Sequence, residues 1–189
     1  MERSKGNESP PHVLPTQSQV HVVEGTHYAR LSDETKGVAI SDEIAPRLAF
    51  VFSLQGGTDE MQKERLSNMN CHDATAFILG GAESIRDIDD FMRSRSLIDH
   101  RRYESVGALT DFLHVIAQRP VMISVDYYHS FVFWGFDEKG QGVVFNKANA
   151  RRPCELTSLA DVYERYRDRG QEPLLNIYYV PGVTVRVRE

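Results

Sequence analysis

His129-Ser130-Phe131-Val132-Phe133-Trp134-Gly135-Phe136, followed after Asp137-Glu138-Lys139-Gly140-Gln141 by Gly142-Val143-Val144-Phe145-Asn146, is the stretch that decides the architecture. Two apolar runs joined by a short polar segment containing glycine read as a β-hairpin. Side chains alternate along a strand, so Phe131 and Phe133 fall on one face and Val132, Trp134 and Phe136 on the other. With both faces apolar, the strand is predicted to be central and covered twice. An unpaired polar group at the head of such a strand is costly, so His129 is expected to find a partner on each ring nitrogen.

The same alternation names the residue that faces His129. If Asp137 pairs with Gly140, His129 lies opposite Ala148; if it pairs with Gly142, His129 lies opposite Ala150. In both registers Asn146 shares the face of His129 and Asn149 does not. A bulge around Gly140 and Gly142 would exchange the two, which makes Asn149 the reserve candidate.

Upstream, Asn68-Met69-Asn70-Cys71-His72-Asp73-Ala74-Thr75-Ala76-Phe77-Ile78-Leu79-Gly80-Gly81 reads as one short helix with Asn70 as N-cap and Gly80 as its left-handed stop. Cys71 then lies in the first turn, beside unpaired backbone N–H groups and the positive end of the helix dipole. That setting is expected to lower a thiol pKa and ease its ionisation. Asp73 is placed to stabilise the same helix start. The plain alternative for Cys71 is core packing, since Cys71, Ala74, Thr75 and Ile78 share a face. Cys154, in Arg152-Pro153-Cys154-Glu155, has no base in its sequence context and is expected to be inert.

The remaining chain reads in order. Residues 1–16, with Pro10, Pro11 and Pro15 among polar residues, are predicted to be a flexible tail, and 17–189 one domain. Val20 to Val23 and Arg47 to Leu54 read as strands, with 25–46 unassigned. A polar helix is expected over 59–66 and another behind Ser84 and Asp87. Ser105 opens a helix whose Val106, Leu109, Phe112, Leu113 and Ile116 form one stripe, ended by Pro120. Strands follow at 121–126, 129–136 and 142–146, then a helix from Ser158 to Arg169 and strands at 174–180 and 183–188. Residues 97–104 and 147–157 read as loops. Helices first and antiparallel strands later place the chain in the α+β class.

Composition narrows the function. The 189 residues are 41% hydrophobic with net charge −5, which argues against a nucleic-acid or membrane-surface binder. No stretch approaches the ~20 apolar residues of a membrane span, and the N-terminus has no secretory pattern. Two cysteines make no disulfide framework and fit a reducing compartment, so a cytoplasmic protein, or one exported by a non-classical route, is expected. No CxxC, HExxH, EF-hand, P-loop or GxGxxG pattern occurs, so neither metal nor cofactor is expected. A zinc site of Cys71, His72 and His129 is the one metal alternative these residues offer.

Cys71 at a helix start, His129 heading a strand with Gly135 six residues on, and a polar residue in the return strand together resemble the papain-like superfamily of thiol hydrolases. The run from His129 through Gly135 to Val144-Phe145-Asn146-Lys147 is most similar to the NlpC/P60-like branch. The resemblance covers roughly residues 60–150 and implies N-terminal helices, the cysteine helix among them, packed on an antiparallel sheet. It implies Cys71 as nucleophile, His129 as base and Asn146 as the group orienting the imidazole, acting on a peptide or amide substrate. The position of the glutamine that often assists the oxyanion in papain-like enzymes falls near Arg65. Gln62, Asn68 and Asn70 are the nearby substitutes, beside the backbone N–H of Cys71. NlpC/P60 enzymes commonly carry an acidic residue before the cysteine and Ser-Gly after it; this chain has Asn70 and His72-Asp73, so peptidoglycan is not implied as substrate. A catalytically silent binding domain and an acyltransferase or transglutaminase-like enzyme are the alternatives with the same residues.

Overall fold

The computed structural model describes residues 19–56, 64, 69–79, 96–116, 120–126, 128–149, 152–167 and 171–179. Their order is β1 (Val20–Val23), β2 (Thr26–Ala29), β3 (Val38–Ile40), α1 (Ala45–Gly56), α2 (Cys71–Ile78), β4 (Ser96–Arg102), α3 (Val106–Ile116), β5 (Val121–Val125), β6 (His129–Phe136), β7 (Gly142–Lys147), β8 (Cys154–Ser158), α4 (Leu159–Arg165) and β9 (Leu174–Tyr179). β1, β2 and β3 form a small antiparallel sheet, and the other six form a second in the order β4-β9-β5-β6-β7-β8, antiparallel throughout. The protein is therefore mixed α+β. Among the described residues no helix is long and apolar enough to cross a membrane.

The large sheet is covered on both faces because its central strands are apolar on both. Met122, Val132, Val143, Phe145 and Tyr178 meet α1, α2 and the small sheet on one side. Ile123, Phe131, Phe133, Val144 and Ile177 meet α3 and α4 on the other. β6 lies between β5 and β7, as its two apolar faces require. Its turn with β5 is tight: Asp126 takes φ 43°, a left-handed conformation that a short polar side chain tolerates, and the Tyr128 N–H donates to Val125 O at 3.1 Å.

Three expectations are overturned. The 47–54 strand belongs to helix α1, because Ala45, Leu48, Val51 and Phe52 fall on one helical stripe, all buried, with Pro46 in the first turn where its missing N–H costs nothing. A nearly continuous apolar run does not distinguish strand from helix by alternation. The 97–104 loop is largely β4, an edge strand whose charged Asp99, Arg101 and Arg102 suit an uncovered edge. The 147–157 loop contains β8, with Cys154 and Leu156 turned into the core. The unassigned 25–46 segment holds β2 and β3. The tail, the helix expected at 59–66 apart from residue 64, the helix behind Ser84, Gly80, and the 183–188 strand lie outside the described residues.

Candidate active site

Asn70 caps α2 as its sequence predicts. Its Oδ1 accepts from the N–H groups of His72 at 2.8 Å and Asp73 at 2.9 Å, while Asp73 Oδ2 accepts from Asn70 N–H at 3.1 Å. This reciprocal box satisfies three donors and fixes Cys71 as the first helical residue. The helix is tied to β6 by two further bonds. Thr75 Oγ1 donates to Ser130 O at 3.1 Å, and His72 Nδ1 lies 2.9 Å from Ser130 Oγ.

Cys71 is only 7% exposed, and its Sγ lies 3.9 Å from Tyr128 O, while the Ser130 N–H also points to the sulfur. The thiol thus rests against the peptide groups on either side of His129. The expected drop in its pKa does not occur. Burial pushes the thiol above its ordinary value, outweighing the lowering by the N–H groups of Ser130, His72 and Cys71, and Asp73 adds to the rise. Burial outweighs the helix dipole because the thiol rests against the sheet rather than in solvent.

His129 is 1% exposed, and its Nε2 lies 2.8 Å from Asn146 Oδ1. Asn146, itself fully buried, donates through Nδ2 to Glu155 Oε1 at 2.9 Å, and Arg165 Nη1 meets that oxygen at 2.5 Å. The imidazole stacks on Tyr166, the residue that ends α4, at 4.3 Å and 22° between planes. Burial holds His129 at a pKa of about 4, partly offset by the Asn146 bond and reinforced by His72 and Arg165. Neutral imidazole carries one N–H, and because Asn146 presents an oxygen, that N–H is on Nε2. Nδ1 keeps its lone pair and has no hydrogen bond among the described residues, where only one of the two expected ring partners is found.

Asn146 rather than Asn149 meets the histidine, although a bulge is present. The turn pairs Asp137 with Gln141, and near it Phe136 lies opposite Gly142 and Gly135 opposite Val143. Continued unbroken, that register would set Asn149 opposite His129. The bulge between Phe133 and Gly135 shifts it by one, pairing Phe133 with Val144 and Val132 with Phe145, and returns Asn146 to the His129 face. Gly135 takes φ 145° at this point, a conformation open to glycine. Asn149 Oδ1 instead accepts from Arg152 N–H in the following turn.

The imidazole turns toward α4, whereas the cysteine helix packs on the opposite face, so Cys71 Sγ and His129 are not hydrogen-bonded to each other. Of the oxyanion candidates, Asn70 uses its Oδ1 in the cap, and Gln62 and Asn68 lie outside the described residues. Cys154 is fully buried with its pKa pushed up to about 12 by burial, an inert thiol. Lys147 is buried as well; its Nζ donates to Arg152 O at 2.7 Å, and burial lowers its pKa. Cys71, His72 and His129 do not form a three-ligand set, and no group of three or more His, Cys, Asp or Glu among the described residues is placed to hold a metal ion. Glu155, Arg165, Tyr166 and Ser130 were missed. Recognising the Cys154/Leu156 alternation as a strand would have exposed Glu155, which lies directly opposite Asn146. No protein-family model, curated protein or solved structure matches the chain.

Proposed function

We propose that the chain is a cysteine-dependent hydrolase of papain-like type, a peptidase or amidase that cleaves an amide or thioester bond through an acyl-enzyme on Cys71. The observation that carries this reading is the state of His129: neutral, with its Nε2–H engaged by Asn146, its Nδ1 lone pair uncommitted among the described residues, and the peptide groups flanking it in contact with the Cys71 sulfur. Nδ1 takes the thiol proton as Sγ attacks the carbonyl carbon, forming a C–S bond and a tetrahedral intermediate. Collapse breaks the scissile bond, and the imidazolium returns the proton to the leaving group. Water then attacks the thioester with Nδ1 again as base, releasing the acid and restoring the thiol. The raised thiol and lowered imidazole pKa values keep both groups neutral at rest, so the proton moves during attack rather than before it. At rest the imidazole is engaged by Asn146 and Tyr166 and the sulfur by the backbone beside it, so this reading requires the His129 ring to turn to Sγ when substrate binds.

The raised Cys71 pKa and the missing Sγ–imidazole bond favour a second reading, a catalytically silent domain that binds a peptide in the same place. Alkylation by iodoacetamide separates the two. In the enzyme reading Cys71 reacts much faster than Cys154, and His129→Ala slows it by ~10²-fold, the scale of general-base assistance. Equal, slow labelling of both thiols leaves the binding domain. An added amine that captures the acyl group marks acyl transfer in place of hydrolysis.

A further inference from the structure

The hydrogen-bond chain of the site extends beyond the residues that touch the base. Asn146 is fully buried and makes two side-chain hydrogen bonds, one to His129 and one to Glu155. An amide can be turned either way in such a position, and only its partners decide which end faces which. Neutral imidazole does not decide, because it donates from one nitrogen and accepts at the other. A carboxylate does decide, because it only accepts. Glu155 sits directly across the β7–β8 ladder from Asn146, and Arg165 holds its Oε1 from the other side at 2.5 Å.

We propose that Glu155 is a positioning residue that sets the tautomer of His129 through Asn146. Its carboxylate draws the Nδ2 of Asn146, which turns Oδ1 toward the imidazole, which confines the histidine proton to Nε2 and leaves Nδ1 as the base. This rests on the reading of His129 as the base for Cys71, and it extends the Cys-His-Asn set by a Glu155–Arg165 pair. Without the carboxylate, the Asn146 amide can invert and present its NH₂ to the ring. The proton then moves to Nδ1, and the base is lost without any change in the position of His129.

The test reads the tautomer itself and needs neither substrate nor thiol. In ¹⁵N-histidine-labelled protein carrying Cys71→Ser, long-range ¹H–¹⁵N correlations of His129, assigned by their loss in His129→Gln, report which nitrogen bears the proton. At near-neutral pH the Nε2–H form is expected in the otherwise wild-type protein and a mixture or the Nδ1–H form in Glu155→Gln. The pair Asn146→Asp with Glu155→Gln exchanges acceptor and donor while keeping the hydrogen bonds, since the new carboxylate accepts from both sides, and it restores the Nε2–H form. An Nδ1–H form in the wild type, or a Glu155→Gln spectrum unchanged at His129, overturns the proposal. If Glu155→Gln does not fold, the double substitution decides: a return to folded protein with the Nε2–H form is expected, and a folded protein with Nδ1–H overturns it. Failure of Cys71 to label would instead strike the enzyme reading and leave this result untouched.

Discussion

His129 gives up most of its basicity to burial, and this has a consequence for stability. Its pKa is about 4 in the folded protein against an ordinary 6.5, so between these values the unfolded chain binds the proton and the folded one does not. Stability therefore rises with pH across that window and is lost as pH falls through it. The difference amounts to about 3 kcal/mol by the linkage relation, with no contribution above pH ~6.5. Urea unfolding of wild type and His129→Gln at several pH values should show the two curves converging in slope above that point and diverging below it. Asn146 is named as the partner by strand parity from a turn closed at Gly140 or Gly142, but the turn closes at Gln141, and Asn146 meets the histidine because the bulge at Trp134 restores the parity. The raised thiol pKa of Cys71 was not legible, because burial outweighs its N–H donors and the sulfur rests against Tyr128 O, 57 residues away in the chain.

At the scale of elements, α2 depends on its cap. The Asn70–Asp73 box satisfies donors that the helix itself cannot, so Asn70→Ala is expected to destabilise the protein by about 1 kcal/mol and to loosen the placement of Cys71. Thermal or urea unfolding measures the first and the Cys71 alkylation rate the second. This cap, strand β6 and strand β7 were all readable, because each depends on neighbours within a few residues. Helix α1 was misread for the opposite reason: Leu48 to Phe52 is apolar at every position, and only the packing of Leu48, Val51 and Phe52 on one core separates helix from strand. The bulge at Trp134 shows how a single extra residue reassigns a whole return strand. The turn register alone would have chosen Asn149, and the glycine conformation at Gly135 chose Asn146.

Across the whole molecule, the elements that carry the site pack on different faces of the six-stranded sheet. The cysteine helix belongs to one core, and Asn146, Glu155 and the end of α4 border the other. The distance between α4 and the sheet is set at Gly142, where an added Cβ would come within 2.8 Å of Leu159 Cβ and 3.1 Å of Phe133 Cε2. Gly142→Ala should lift α4, cost ~1–3 kcal/mol in urea unfolding, and disturb the stacking of Tyr166 on His129, a change visible in the His129 NMR signals. Short-range pattern was enough to establish the hairpin, the capped cysteine helix and the α+β class, because alternation, capping and turn chemistry act between near neighbours, whereas the shared face of His129 and Asn146 depended on the bulge at Trp134. The approach of Glu155 and Arg165 to Asn146, the burial that keeps Cys71 a neutral thiol, and the turning of the imidazole to Asn146 and Tyr166 rather than to the sulfur arose only in the packed molecule. They depend on strand order and on desolvation by residues far away in the chain, which no local spacing encodes.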